Sequence, residues 1–428
     1  MARRIQSLQS RPLALLAILS LLSLAARVAL IGEPCRAPCR ASADHILVFD
    51  ESYYVNAARV IAGVRPPPGA TYADAPLGDD PNAEHPQLAK LVIAGSIELF
   101  GDGPLAWRLG SLICGSLAIL GLYALVRAAG GGPWVALAAS ALMTFDNLAL
   151  VHGRIGTLDI YALTAMIWAA VAYLRGRPLL AGALIGVGAC CKLVAPYLLP
   201  ALALFEGFQW LIDRQDAVRR LKRLGACAIC AAGVFYLLLA ILDRIARPFD
   251  PVAGKLVGGG PLGHLAHMIS YGASQSSPHG PTGIASYPWE WLVDLKPIMY
   301  LNINPSQPAP GLYDIHPAAH FIGMISPPIM LLALPALALA LPGAVQARND
   351  VGVIALAWFI GTFVPFELLS LIWSRTSYLY YMVIVMPGIY IAVAELVTRI
   401  RVNAKLIGAW AASVVAAAIV MYPFTPWP

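Results

Sequence analysis

PLALLAILSLLSLAARVALIG, residues 12–32, carries Arg27 as its one charge. A helix crosses a bilayer core with about 20 apolar residues, so this run reads as a membrane span. It follows MARRIQSLQSR, and no small-residue cleavage pattern comes closely after it, so it reads as a retained helix and not a signal peptide. Similar runs recur down the chain. About eleven can be placed: 12–32, 106–127, 133–150, 157–174, 179–193, 194–212, 224–243, 318–341, 353–372, 378–398 and 405–422. With 59% hydrophobic and 12% charged residues in 428, the composition excludes a soluble protein of this length. The fold class is an all-α polytopic membrane protein. No repeat, low-complexity tract or composition shift divides it, so residues 1–428 read as one transmembrane domain without a soluble domain.

Basic residues orient the spans, because Lys and Arg accumulate in short cytoplasmic connections. With the N-terminus inside, the inner connections collect Arg3, Arg4 and Arg11, then Arg127, then Arg175 and Arg177, then Arg214, Arg219, Arg220, Lys222 and Arg223, and finally Arg348, Arg399, Arg401 and Lys405. The net charge of +6 is mostly this bias, which suits anionic lipid headgroups and not nucleic acid. Two long polar segments, 33–105 and 244–317, then fall outside the cell. Both are rich in Pro, Gly, His and aromatic residues, which bring defined turns and interfacial anchors. In the first, Glu51–Gly63 and Gln87–Phe100 have roughly helical apolar spacing and are short for a span, so both read as interfacial helices.

Of seven cysteines, Cys114, Cys190, Cys191, Cys227 and Cys230 sit in apolar runs as small hydrophobes. Cys35 and Cys39 lie in the first outer segment, either paired by an oxidising compartment or free.

Ionisable groups at membrane depth are costly, and a function is their default reading. They cluster at the expected outer ends of the spans: Asp50 and Glu51 in VFDESYYVNA; Glu84, His85 and Lys90 in EHPQLAK; Arg108; Asp146, Arg154 and Asp159 in FDNLALVHGRIGTLDI; Lys192; and Arg375. One outer cavity would gather them. Against this stands a plainer reading, with Asp50 and Glu51 as a solvated helix start and Arg154–Asp159 as a structural ion pair. His264 and His267, or His316 and His320, have helical spacing that suits a metal, but no Cys or carboxylate joins them at standard spacing, and a polar loop face is the simpler account. The aromatics of YPWEWLVDLKPIMY, Tyr287 to Tyr300, read as an interfacial belt. GxGxxG with a following acid, GxxxxGK[ST], HExxH and GxSxG are all missing, which removes support for nucleotide binding and the common hydrolases.

FDESYYVNA, EHPQLAKLVIA, LFGDGPLAWRLGSLICGSL, FDNLALVHGRIGTLDI and SRTSYLYYMVIVMPG together resemble, in order and spacing, the motifs of the protein O-mannosyltransferase family, above all its bacterial branch. The resemblance implies a GT-C glycosyltransferase fold with eleven spans. It also implies transfer of mannose from a polyprenyl-phosphate carrier to Ser or Thr hydroxyls of exported proteins. The family's acidic pair matches Asp50-Glu51, its Arg after the second loop helix matches Arg108, and its Arg and Asp between the third and fourth spans match Arg154 and Asp159. EHPQLAK departs from the family's His-Pro-Pro-Leu-Gly-Lys, residues 33–48 form a longer lead, and the repeat domain of eukaryotic members has no counterpart. Other GT-C enzymes sharing a first-loop acid transfer sugar to lipids or envelope glycans.

The chemistry such a site needs is unequal at its two ends. A phosphate-linked sugar already has a good leaving group, so cations at the phosphate suffice; Arg108, Arg154, Lys192 and Arg375 are the donor-binding candidates. A hydroxyl acceptor needs a base. Asp50 is that candidate, with Glu51 orienting it or the acceptor, and His85, Lys90, Asp146, Asp159 and Tyr54 supporting. No cofactor or metal is called for beyond the lipid-linked sugar, although Asp50, Glu51 and Asp159 are ligand types a divalent ion accepts. A secondary transporter would show paired interrupted helices in corresponding halves, which the sequence lacks. A non-catalytic membrane subunit would have no use for Asp50.

Overall fold

The computed structural model describes residues 2–214, 216–303, 319–347, 349–400 and 403–423. His316, Arg348 and Arg401 fall outside them. The first apolar run forms α1 (Ala2–Val28). The first long connection carries α2 (Glu51–Ile61) and α3 (Leu88–Phe100), at the positions expected for its two short helices. Then follow α4 (Pro104–Ala128), α5 (Pro133–Phe145), α6 (Asn147–His152), α7 (Asp159–Leu174), α8 (Pro178–Cys191), α9 (Leu198–Asp213) and α10 (Ala217–Ile245). The second long connection holds β1 (Phe249–Asp250), β2 (Lys255–Leu256), α11 (Gly260–Ser274), α12 (Pro288–Trp291), β3 (Ile298–Ile303) and β4 (Ala319–Gly323). The chain closes with α13 (Pro327–Ala347), α14 (Val351–Trp373), α15 (Met382–Arg399) and α16 (Ala404–Val420).

Every apolar run read from the sequence contains a helix. Among the described residues, 7 helices are long and apolar enough to cross a membrane, and α5, α7, α8 and α16 are shorter apolar ones. Large apolar side chains such as Leu221, Ile229 and Leu371 are exposed on these helices. In water such a surface would drive aggregation; in a bilayer it faces lipid. The molecule is an integral multi-pass membrane protein.

Three boundaries differ from the sequence reading. The run 133–150 is broken at Asp146, whose carboxylate accepts the Ala149 N–H at 3.3 Å and starts α6 as a separate helix. The run 318–341 begins with a strand, because Ala319–Gly323 pairs antiparallel with Ile298–Ile303, and α13 starts only at Pro327. The second long connection is therefore partly β, against the all-α expectation. The run 378–398 opens with a 3-10 turn, Leu379–Tyr381, before α15.

The centre is packed around α7, buried along most of its length against α4 and α8. Gly182 and Gly186 let α8 lie directly on α10: a Cβ at Gly182 would come within 2.3 Å of the Cys227 carbonyl. This packing puts the start of α7 and the end of α8 side by side, under α2.

Candidate active site

The adjacent carboxylates at the start of α2 go opposite ways. Glu51 is fully buried and bonded on both oxygens. Its Oε1 accepts from Arg108 Nε at 2.8 Å and Gly156 N–H at 2.7 Å; its Oε2 accepts from Arg108 Nη2 at 2.8 Å and Val48 N–H at 2.8 Å. Arg108 donates further to the carbonyls of Ile31 and Glu33, at 2.6 and 3.2 Å. The two residues form a closed clamp, and this corrects both assignments: Glu51 has no oxygen left to orient an acceptor, and Arg108 is spent inside the protein and not at a phosphate.

Asp50 is half-buried, and among the described residues no side chain or backbone amide bonds its carboxylate. Burial pushes this carboxyl up to about 7, the Lys192 ammonium pulls it down and Asp159 adds to the rise. A carboxyl held near neutrality suits a base working at neutral pH.

Lys192 and Asp159 explain how these charges sit together. Asp159 opens α7 and Lys192 ends α8, and packing of those helices brings Lys192 Nζ within 2.7 Å of Asp159 Oδ1. The ammonium also lies over the rings of Tyr380 and Tyr381, at 5.2 and 5.7 Å. Both residues line a cavity of about 590 Å³, with Glu84, His85, Arg375 and Tyr381 among its other walls. Arg375 is half-buried there and gives one guanidinium N–H to the Gly272 carbonyl. His85 is pushed well below its ordinary value by burial and by Lys192, Lys90 and Arg375, so it is neutral at pH 7. Tyr54 is buried with its ring edge-on to His85 at 5.7 Å. Lys90 stays out of the cavity: its Nζ bonds Asp80 Oδ2 at 2.6 Å and the carbonyls of Asn82 and His85, bracing the turn that presents Glu84 and His85.

The single cavity expected from the sequence therefore gathers only some of the charges. Arg154, wholly buried, donates to the Ala29 and Leu30 carbonyls at 2.9 Å each and to the Tyr422 hydroxyl at 3.3 Å. It anchors the end of α1 and, among the described residues, does not line this cavity, and Asp159 pairs with Lys192 instead. Asp146 joins α6 to the Ser326 N–H at 2.7 Å and the Tyr390 hydroxyl at 2.7 Å, a support made at a distance. His264 is buried with Nδ1 on Asp243 at 2.7 Å and Nε2 on the Ala83 carbonyl at 3.0 Å, so it is neither an exposed loop residue nor a free metal ligand. Of the three carboxylates named as possible ligands of a divalent ion, Glu51 is held by Arg108 and Asp159 by Lys192. Cys35 and Cys39 are joined in a disulfide.

Sequence reasoning passed over His152 and Tyr300. His152 is wholly buried; Nε2 meets the Tyr300 hydroxyl at 2.8 Å, and Nδ1 lies 3.9 Å from Asp159 Oδ2. The signal was HGR within a segment already singled out for its Arg and Asp. Tyr300 reads from the sequence as part of an interfacial belt, and the β3–β4 pairing turns it inward.

Residues 84–242 match the family model described as dolichyl-phosphate-mannose-protein mannosyltransferase. That segment runs from Glu84 through Asp159 and Lys192. Over that segment the chain is similar to this family. A polyprenol-phosphate-mannose–protein mannosyltransferase of Corynebacterium glutamicum is 35% identical over 31% of this chain, a match spanning 26% of that relative's length. The protein of the same name from Mycolicibacterium smegmatis is 24% identical, over 81% of this chain and 75% of its own. The Saccharomyces cerevisiae Pmt1-Pmt2 complex bound to the sugar donor superposes with a TM-score of 0.69 at 11% identity, covering 97% of this chain and 91% of that one. The likeness shows that this chain shares the fold of that complex.

Proposed function

We propose that the chain transfers mannose from a polyprenyl-phosphate carrier to Ser or Thr hydroxyls of exported proteins, inverting the anomeric carbon. One observation carries this reading: Asp50 is a carboxylate without a hydrogen-bond partner among the described residues, raised toward neutrality, close to Lys192 and Asp159 in the wall of a cavity that Arg375 also lines. The acceptor oxygen attacks the anomeric carbon as the bond from that carbon to the phosphate oxygen breaks. Asp50 takes the hydroxyl proton, and the carrier leaves with the bonding pair on its phosphate, opposite Lys192 and Arg375. Arg375, bonded by a single N–H to Gly272, keeps most of its planar fork for phosphate oxygens. The donor class is supported by the family match and by a structural relative solved with its sugar donor.

The deciding experiment supplies purified full-length protein with radiolabelled polyprenyl-phosphate mannose and two acceptors in parallel, a Ser/Thr-rich peptide and a lipid extract. Label in the peptide is expected. Label only in lipid would assign the chain to GT-C enzymes with lipid acceptors, and label in neither would overturn the transferase reading.

The site is on the external face in this reading, because Arg214, Arg219, Arg220, Lys222 and Arg223 stand at the opposite ends of α9 and α10. A cysteine at Asp74, on the exposed first connection, should react with a membrane-impermeant thiol reagent in intact cells, and one at exposed Arg219 should not. Reversed labelling overturns the orientation.

A further inference from the structure

The peptide before the candidate base is the least comfortable in its neighbourhood. Phe49 has φ +55, a left-handed conformation that a bulky L residue adopts only when its surroundings over-determine it. Asp50, at the N-cap of α2, has φ −67 and ψ −5, so it is already helical, and its side chain makes no capping bond. An N-cap Asp normally sits in the extended region and folds its carboxylate onto the amides of the first turn. Here the left-handed Phe49 brings backbone carbonyls to those amides instead. Glu51 N–H goes to the Val48 carbonyl at 3.1 Å, Ser52 N–H to that of Phe49 at 3.2 Å, and Tyr53 and Tyr54 N–H to that of Asp50 at 3.0 and 3.1 Å. The Ser52 hydroxyl also donates to the Phe49 carbonyl at 3.1 Å. The helix start is satisfied without the Asp50 side chain.

Phe49 is held there by Tyr300 of the second long connection and by Tyr380, just before α15. Its ring stacks on Tyr300 with centroids 4.1 Å apart and planes 12° from parallel, and meets Tyr380 edge-on at 5.5 Å. Tyr300 sits at the register shift of β3, between the pairs Met299–Ile322 and Leu301–Phe321. A bulge of this kind re-aims a side chain. Two further contacts fix the ring: its hydroxyl bonds His152 Nε2 at 2.8 Å, and it lies against Gly323, where a Cβ would come within 2.4 Å of it.

We propose that Phe49 is a positioning residue: locked by Tyr300, it holds the left-handed turn that denies Asp50 its capping bonds and keeps that carboxylate available as the base. The proposal rests on the Asp50 reading above. The second long connection thereby sets the geometry of a residue contributed by the first.

The test compares Phe49→Ala, Phe49→Gly, Gly323→Ala and Asp50→Asn in the full-length purified protein, measuring kcat and donor KM across pH. Phe49→Ala should lower kcat by roughly tenfold or more with donor KM little changed, and should move the acidic limb downward as Asp50 folds onto the α2 amides, which favour its ionised form. Phe49→Gly should be faster than Phe49→Ala, because glycine takes φ > 0 without steric cost. A packing role alone predicts the reverse order, since glycine removes more of the side chain and loosens the backbone. Should Phe49→Ala fail to fold, Gly323→Ala displaces the Tyr300 ring while leaving Phe49 intact, and the same loss of kcat is expected. Parent-like kcat and pH profile in Phe49→Ala, or Phe49→Gly no faster than Phe49→Ala, overturns the proposal while Asp50→Asn remains inactive. Full activity in Asp50→Asn overturns the base and its positioning together.

Discussion

Asp50→Asn should retain the fold and the affinity for the lipid-linked donor while losing about 10²–10⁴-fold in turnover, the usual contribution of a positioned base. The amide is nearly isosteric but cannot accept the acceptor's proton usefully at neutral pH, so the loss belongs in kcat. Because the Asp50 carboxyl is raised to about 7, the parent rate should fall as pH drops through that value, and the residual rate of the variant should not follow. The stability effect has the opposite sign. A carboxyl with a folded pKa above its unfolded value of about 3.9 binds its proton more tightly when folded, so it destabilises the protein increasingly as pH rises from about 4 to 7. Asp50→Asn should therefore be no less stable than the parent at pH 8. Arg375→Gln offers the contrast: it removes a phosphate contact and should raise donor KM while the pH limb stays in place. Parent-like single-turnover transfer by Asp50→Asn would reduce the residue to an ordinary helix start.

Much of this was legible in the chain because bilayer solvation writes its demands plainly. An apolar run of about 20 residues has few alternatives, and each of the runs does hold a helix. What periodicity could not show was tertiary. The Ile298–Ile303 strand depends on a partner beginning at Ala319, sixteen residues after it ends, and Asp146 breaks a continuous apolar run through one capping bond. The site was legible as a set of residues and not as a division of labour. Asp50, Asp159, Lys192, His85 and Arg375 come together, whereas Glu51, Arg108 and Arg154 are equally charged, equally near in sequence, and turned into the protein. Charge at membrane depth says that a residue has a partner. It does not say whether that partner is a substrate or a carbonyl of the end of α1.

Glu51→Gln separates those two meanings most sharply. From sequence, Glu51 assists Asp50, and its amide would be a mild catalytic lesion. The structure predicts a folding lesion instead. Each Glu51 oxygen accepts two donors, Arg108 Nε with Gly156 N–H on one and Arg108 Nη2 with Val48 N–H on the other. Glutamine keeps one oxygen and turns the other into an NH₂ that faces two donors whichever way the amide is flipped. Arg108, 1% exposed, keeps its charge and loses its counter-charge. Breaking a buried ion pair in this way costs about 3–5 kcal/mol, a large share of the roughly 5–15 kcal/mol of a folded protein. Glu51→Gln should thus fall sharply in detergent-extracted yield and thermal midpoint, and Glu51→Gln combined with Arg108→Gln should be less destabilised than the two single changes summed. A Glu51→Gln protein with the parent's thermal midpoint and a purely kinetic defect would return Glu51 to the chemistry and leave the clamp without a function.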